Sequence, residues 1–259
     1  MLRSRIIPCL LVQNKGLVKT VNFRDPKYVG DPINAVKIFN EKEVDELIVL
    51  DIDATIEKRE PNFKMIKNLA DECRMPLCYG GGITTSEQAR KIISLGAEKI
   101  ALSNSALNNI ELCKEIGSII GNQSVVVVID VKKKKLFGGY DVYTHNGTKK
   151  SKWKLENLVQ KLEEIGIGEI VINSIDNDGT MMGYDTSLAE IIRKKCSMPL
   201  TILGGAGTLN DIKNLIAKFK IIGASAGSLF VFKGKYRAVL INYPNRKDRK
   251  PLYYNDNLS

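Results

Sequence analysis

The sequence predicts one (β/α)8 TIM barrel built from a duplicated half-barrel. Three features carry that expectation. Short β-branched runs alternate with longer amphipathic segments eight times along the chain. Two stretches recur in the second half. "ELIVLDIDAT" (Glu46–Thr55) is echoed by "EIVINSIDNDGT" (Glu169–Thr180), and "MPLCYGGGI" (Met75–Ile83) by "MPLTILGGAG" (Met198–Gly207), at an offset of roughly 124 residues, near half the chain. The length of 259 residues also suits this architecture, which commonly runs to about 250 residues as one unit.

The eight strands are expected, in order, at Arg5–Leu11, Glu46–Asp51, Leu77–Tyr79, Lys99–Leu102, Val125–Asp130, Glu169–Asn173, Leu200–Leu203 and Ile221–Ala224. Near-continuous apolar runs such as "VVVVI" suit parallel strands covered on both faces. The segments between them carry helical spacing and helix punctuation. "TTSEQARKIISLG" opens on Thr/Ser cap candidates, places Ala89, Ile92, Ile93 and Gly96 at helical spacing and stops at glycine. "WKLENLVQKLEEIG" and "TSLAEIIRKK" follow the same plan. No linker-like stretch divides residues 1–244, which form the barrel; the tail, 245–259, is polar and expected to pack loosely.

The formal net charge of +10 favours anionic partners. Nucleic acid is disfavoured as that partner, because no aromatic-rich basic motif and no reading helix is present. "KKKK" (Lys132–Lys135) reads as a solvated loop. A phosphorylated small molecule suits the same charge. No apolar run reaches the ~18 residues of a membrane span, so no membrane partner is expected. "MLRSR" leads straight into the first strand without a signal-peptide pattern. Cys9, Cys73, Cys78, Cys113 and Cys196 are scattered, odd in number and without a CxxC pair, which reads as reduced, core-filling thiols in a cytoplasmic protein. No cluster has metal-ligand spacing, and no metal or cofactor is expected.

In a barrel of this kind the chemistry sits at the carboxyl ends of the strands. Asp51, Asp53, Asp130, Asp176 and Asp178 fall there, with Gly80-Gly81-Gly82 and Gly204-Gly205-Ala206-Gly207. Ser103-Asn104-Ser105 and Gly227-Ser228 follow the next strand of each half. Two readings fit the glycines. Each cluster can cradle a phosphate on backbone N–H groups, with a following helix N-terminus adding roughly 0.3–1 kcal/mol for an anion. Two such cups would suit a long substrate with a phosphate at each end. Alternatively, both clusters are tight turns that need positive φ. Asp130 is a candidate general acid/base, and the repeat sets Leu11 opposite it. Asp51, Asp176 and Asp178 fit acid–base work or hydrogen bonding to loop backbone. His145, the only histidine, lies in the polar stretch "YTHNGTKK" and reads as an exposed loop residue.

Taken together, "RIIPCL", "GDP", "LDIDAT", "YGGGI", "VVVVID", "VYTHNG", "INSIDNDGTMMGYD" and "GGAG" resemble the HisF family, the cyclase subunit of imidazole glycerol phosphate synthase. The resemblance runs from about Arg5 to about Phe232. It implies a barrel docked to a glutaminase (HisH-like) subunit, with ammonia crossing the barrel interior to a bis-phosphorylated ribonucleotide. Cleavage and ring closure follow, with aspartates at the ends of the first and fifth strands as acid and base. On this resemblance Asp130 is the fifth-strand aspartate, and Lys19 is the loop lysine that closes over substrate. The implied substrate- and phosphate-binding set is Lys19, Asp51, Gly81, Gly82, Asn104, Asp176, Gly179, Gly204, Gly205, Gly227 and Ser228. Arg5, Glu46, Lys99 and Glu169 match a ring of alternating charges that gates ammonia. Each stands at the start of an expected strand, and the plainer alternative to a gate is a purely structural salt-bridge ring.

The departures point elsewhere. Leu11 replaces the first-strand aspartate, and leucine moves no proton. Ser103-Asn104 and Leu203 replace polar residues usual beside the cups, "KKKKLFGG" lengthens the loop after Asp130, and the end "FKGKYRAVLINYP" differs from the ordinary subunit. That end resembles paralogues encoded with surface-polysaccharide genes, which work with a glutaminase-like subunit and an ATP-dependent sugar amidotransferase. The preferred expectation is therefore a HisF-like subunit that channels ammonia for amidination of a bacterial surface sugar. The alternatives are a cyclase subunit of histidine biosynthesis, with Asp51 or Asp53 standing in for Leu11, and a non-catalytic phosphate-binding barrel.

Overall fold

A computed structural model describes residues 3–136 and 138–253. The elements are β1 (Arg5–Gln13), β2 (Gly16–Val21), β3 (Arg24–Gly30), α1 (Pro32–Glu41), β4 (Leu47–Asp51), α2 (Phe63–Glu72), β5 (Leu77–Gly80), α3 (Ser86–Ser94), β6 (Lys99–Leu102), α4 (Asn104–Asn108), α5 (Glu111–Ile120), β7 (Val125–Lys133), β8 (Tyr140–Thr144), β9 (Lys149–Lys154), α6 (Leu155–Ile165), β10 (Glu169–Ser174), α7 (Thr186–Arg193), β11 (Leu200–Leu203), α8 (Leu209–Phe219), β12 (Gly223–Ala226), α9 (Ser228–Val231), β13 (Phe232–Lys233), β14 (Ala238–Val239) and α10 (Arg246–Tyr253). Eight of the strands run parallel and close on themselves in the order β1-β4-β5-β6-β7-β10-β11-β12, with β12 pairing back onto β1. This is the expected (β/α)8 barrel.

Period-two alternation splits the apolar side chains into two sets. Those facing outward merge with the apolar stripes of the helices into one core that includes Ile6, Val49, Tyr79, Val127 and Ile172. Those facing inward form a separate cluster, Ile7, Cys9, Ile48, Cys78, Ala101, Val126, Val128, Val171 and Leu203, with Leu11 and Leu50 packed on it. The helices start and stop as their punctuation dictates. Thr85 and Gln88 form a capping box at the start of α3, and Gly166 ends α6 in the left-handed region at φ 77°.

Three features differ from expectation. First, two hairpins stand on the carboxyl ends of β1 and β7. β2 pairs antiparallel with β1, placing Leu11 opposite Val18, and β8 pairs antiparallel with β7, placing Asp130 opposite Tyr143. Asn14 and Lys15 both have positive φ and form a two-residue turn between β1 and β2; His145, Asn146 and Gly147 also have positive φ, in the four-residue turn between β8 and β9. "KKKKLFGG" is therefore no simple loop: Lys132 and Lys133 belong to β7, and Lys134 N–H bonds Gly139 C=O at 2.9 Å. Lys133, Lys134 and Lys135 are exposed, as expected of a solvated run; Phe137 lies outside the described residues. Second, the last strand starts at Gly223 rather than Ile221, because Lys220 turns through φ 63° and leaves Ile221 exposed. Third, the tail is not loosely packed over 246–253. The helix directly after β12, α9, is only four residues long, and α10 packs against α8. The chain returns along the barrel as an extended segment carrying buried Tyr243, and ends in α10, where Arg249 and Leu252 are buried. Residues 254–259 of the expected tail lie outside the described residues.

Candidate functional site

At the amino ends of the strands, the first residues of β1, β6 and β10 and the residue just before β4 are charged. Arg5 Nη2 and Nη1 donate to Glu169 Oε1 and Oε2 at 2.8 and 3.1 Å, and Arg5 also pairs with Glu46. Lys99 Nζ donates to Glu46 Oε1 at 2.8 Å and to Glu169 Oε2 at 2.9 Å. Two cations and two anions thus alternate in one closed ring across the barrel floor, and Thr201 Oγ1 adds a bond to Glu169. Burial would raise the Glu169 carboxyl, but Arg5, Lys99 and Thr201 outweigh it and hold the group at about 2. The same carboxylates raise Lys99 against the opposing effect of its burial. The ring is complementary in charge, so neither sign is left uncompensated below the lumen.

Above the ring the lumen is the apolar inward cluster, and above that the carboxyl ends open into a cavity of about 570 Å³. Leu11 and Asp130 both line it. Their strands share one burial rhythm: each residue is part-exposed with five buried residues before it and one after. The two halves therefore present leucine and aspartate at equivalent places. Asp130 Oδ1 accepts from Asn173 Nδ2 at 3.0 Å. Burial pushes its carboxyl up to about 7, opposed by the Asn173 bond and aided by the nearby Asp178 charge. Asp178 also lines the cavity; burial raises its carboxyl, while Thr20 Oγ1 at 2.6 Å and Phe23 N–H at 3.1 Å bond it and oppose that rise. Lys58, Arg59 and Lys19 bring positive charge to the same cavity.

A family profile described as "Histidine biosynthesis protein" matches residues 5–237. A protein of Leptospira borgpetersenii named "Putative imidazole glycerol phosphate synthase subunit HisF" is 56% identical over 253 residues, covering 98% of this chain and 100% of the relative. The chain belongs to the HisF family. Pseudomonas aeruginosa supplies a relative named as a synthase subunit hisF2, 52% identical over 95% of this chain and 97% of its own length. The imidazole glycerol phosphate synthase subunit HisF of Streptococcus sanguinis is 39% identical over 89% of this chain and 91% of its own length.

Within this HisF-family barrel the sequence-derived candidates divide. Asp130, Lys19, Asp51, Gly81, Gly82 and Asn104 line the mouth cavity; Asp176, Gly179, Gly204, Gly205, Gly227 and Ser228 are not part of its lining. Asp176 is exposed and accepts from Lys133 N–H at 2.7 Å; the carboxylate that faces the mouth is Asp178, two residues on. Lys19 does not sit in a free loop. It lies in β2, buried, with Nζ donating to Cys9 C=O at 2.5 Å, and burial lowers its pKa against the charges of Cys9 and Asp178. Its ammonium also lies where a side chain on Gly227 would stand. Gly204 and Gly205 have φ 96° and 105° and pack on the carbonyls of Ser174 and Gly183; Gly81 and Gly82 have φ 127° and 73° and pack on those of Asp51 and Arg59. Backbone geometry alone therefore requires glycine in both clusters, and only the first opens into the mouth cavity. Asp51 and Asp53 are committed: Asp51 Oδ1 accepts from Asp53 and Ala54 N–H at 3.1 Å, and Asp53 from Gln13 Nε2 at 3.0 Å and Asn14 N–H at 2.8 Å. His145 is half-buried and lines the cavity with Asn146, contrary to its expected exposure. Sequence reasoning also left out Asn173, Thr20 and Phe23; the "HNG" turn signal was the one cue to the His145 hairpin.

Proposed function

We propose that this HisF-family synthase subunit is an ammonia conduit whose ring-forming chemistry is impaired. A glutaminase subunit docks at the floor, and ammonia enters where Arg5, Glu46, Lys99 and Glu169 part. It crosses the lumen as neutral NH3, since an ammonium ion among Ile7, Cys9, Ile48 and Val128 would lack any counter-charge. The observation that carries the reading is Leu11. It faces the mouth at the place equivalent to Asp130, so one half of an acid–base couple is a side chain that cannot exchange a proton. Gly81, Gly82 and Asn104, with Lys58 and Arg59 beside them, would hold one phosphate of a ligand. Ammonia leaving the mouth then serves amidination of a bacterial surface sugar in lipopolysaccharide or O-antigen biosynthesis, carried out by an ATP-dependent amidotransferase. One observation supports that destination: the divergent end "FKGKYRAVLINYP", which resembles paralogues encoded with surface-polysaccharide genes. The 52–56% identity to chains named as putative synthase subunits, against 39% to the Streptococcus subunit, sets the chain apart from the latter.

The deciding experiment supplies the purified chain with ammonia and the bis-phosphorylated ribonucleotide. The expected result is little or no imidazole glycerol phosphate. Robust turnover overturns the proposal. The second reading, a cyclase of histidine biosynthesis, draws on Asp130, whose pKa of about 7 suits proton transfer at neutral pH. Its second carboxylate is then Asp178, whose bonds from Thr20 and Phe23 both fall on Oδ2, whereas both oxygens of Asp51 and of Asp53 are engaged. Loss of any residual turnover in Asp178→Asn, with turnover kept in Asp53→Asn, is the outcome that reading requires.

A further inference from the structure

The gate proposed above has a weak seam, and the carboxyl-terminal segment closes it. Arg5 N–H bonds Ile222 C=O on the β12 side, so the backbone groups of the next residue, Ile6, face β4. Yet the β1–β4 pairing begins only at Cys9–Ile48, above Ile6. Below that point no ladder joins the two strand starts that carry Arg5 and Glu46. The polar groups of Ile6 are taken by side chains instead. Its N–H donates to Asp45 Oδ2 at 2.9 Å, and its C=O accepts from Tyr243 Oη at 2.8 Å. Asp45 N–H in turn donates to Tyr243 Oη at 3.3 Å. One hydroxyl and one carboxylate thus tie the residue after Arg5 to the residue before Glu46.

Helix α10 holds both ties. Arg249 is buried, with Nη1 donating to Glu43 C=O at 2.8 Å and lying 3.6 Å from Asp45 Oδ1, and its guanidinium stacks 5.1 Å from the centre of the Tyr243 ring. Tyr253 Oη also bonds Asp45. The opposite half of the ring needs no such device, since β10 pairs with β7 from Glu169 itself.

We infer that Tyr243 and helix α10 form a strap that sets the spacing of Arg5 and Glu46, with Asp45, Tyr243 and Arg249 as positioning residues for the floor ring. The inference rests on the conduit reading for its purpose but not for its test. Hydrogen exchange of the full chain, read by mass spectrometry, compares wild type with Tyr243→Phe, Arg249→Ala and Arg249→Lys. Tyr243→Phe keeps the ring, whose centre lies 5.2 Å from that of Phe230, and so tests the tie even if Arg249→Ala fails to fold. In Tyr243→Phe and Arg249→Ala, exchange over residues 5–8 and 45–48 should accelerate about tenfold or more. Residues 99–102 and 169–172 should stay within about twofold of wild type, and Arg249→Lys should restore much of the protection. Equal acceleration at all four places, or none at 5–8 and 45–48, overturns the strap. No glutaminase, ammonia or product enters this measurement. Its failure leaves the conduit reading untouched, and failure of ammonia passage leaves the strap untouched.

Discussion

Replacing Asp130 by asparagine should stabilise the protein at neutral and alkaline pH, and the gain should disappear in acid. The part-buried carboxyl has its pKa raised from 3.8 to about 7. A raised carboxyl binds its proton more tightly in the folded state, so between those two values the folded chain holds more protons than the unfolded one. Stability therefore falls as pH rises through that window, and below 3.8 both states are protonated and the cost vanishes. At roughly 1.36 kcal/mol per pH unit the full interval is worth about 4 kcal/mol. Asp130 keeps one side toward the open cavity, which screens its charge, so about 2 kcal/mol is the working expectation for Asp130→Asn at pH 8. Asparagine still offers a carbonyl to Asn173 Nδ2, so the variant loses the charge and not the hydrogen bond. Urea unfolding of wild type and variant at pH 4, 6 and 8 is the assay. A difference that stays the same at all three values, or a variant less stable at pH 8, would refute the assignment of a part-buried, protonatable carboxylate at the mouth.

The floor ring and the mouth yield further tests. Lys99→Met removes a cation shared by Glu46 and Glu169 and leaves Arg5 as the one ring cation between them; about 3 kcal/mol of stability should be lost in urea unfolding. An unchanged midpoint would mean the ring is not coupled. Glu169 is held down from 4.5 to about 2, so its contribution is complete above pH 4.5 and is lost as pH falls toward 2. Glu169→Gln should lower stability at pH 7 and flatten the acid limb of the stability curve, as followed by circular dichroism; a parallel limb would count against the ion pairs. Leu11→Asp returns a carboxylate beside Leu50, its partner in the β1–β4 register, and should cost about 1–3 kcal/mol at pH 7. It should bring at most a weak gain in imidazole glycerol phosphate formation from ammonia; a large gain would show that Leu11 alone had disabled the site.

Local pattern went far because the barrel is repetitive. The eight strands are legible from apolar runs of the right length, and the Leu11–Asp130 equivalence from the internal repeat. The ring was legible because each of its members stands at a strand start. The hairpins were lost because β3 and β9 are edge strands, largely exposed, without the apolar rhythm that marks a core strand. Asp176 and Asp178 were both legible as carboxylates following β10, and the resemblance singled out Asp176; a shift of two residues within one tight turn decides which carboxylate faces the cavity and which faces solvent.

By itself the sequence determined the architecture, the duplicated halves and the leucine that stands where its counterpart is an aspartate, because each is written in periodicity or in a single residue's chemistry. Only the tertiary structure decided that Lys19 is buried against Gly227, that Asp178 rather than Asp176 shares the mouth with Asp130, and that Tyr243 and a carboxyl-terminal helix close the seam beside the floor ring. Those outcomes depend on which backbone groups the barrel leaves unpaired and on what lies close enough to satisfy them. Residues more than 200 positions apart, such as Asp45 and Tyr253, meet only once the cylinder has closed.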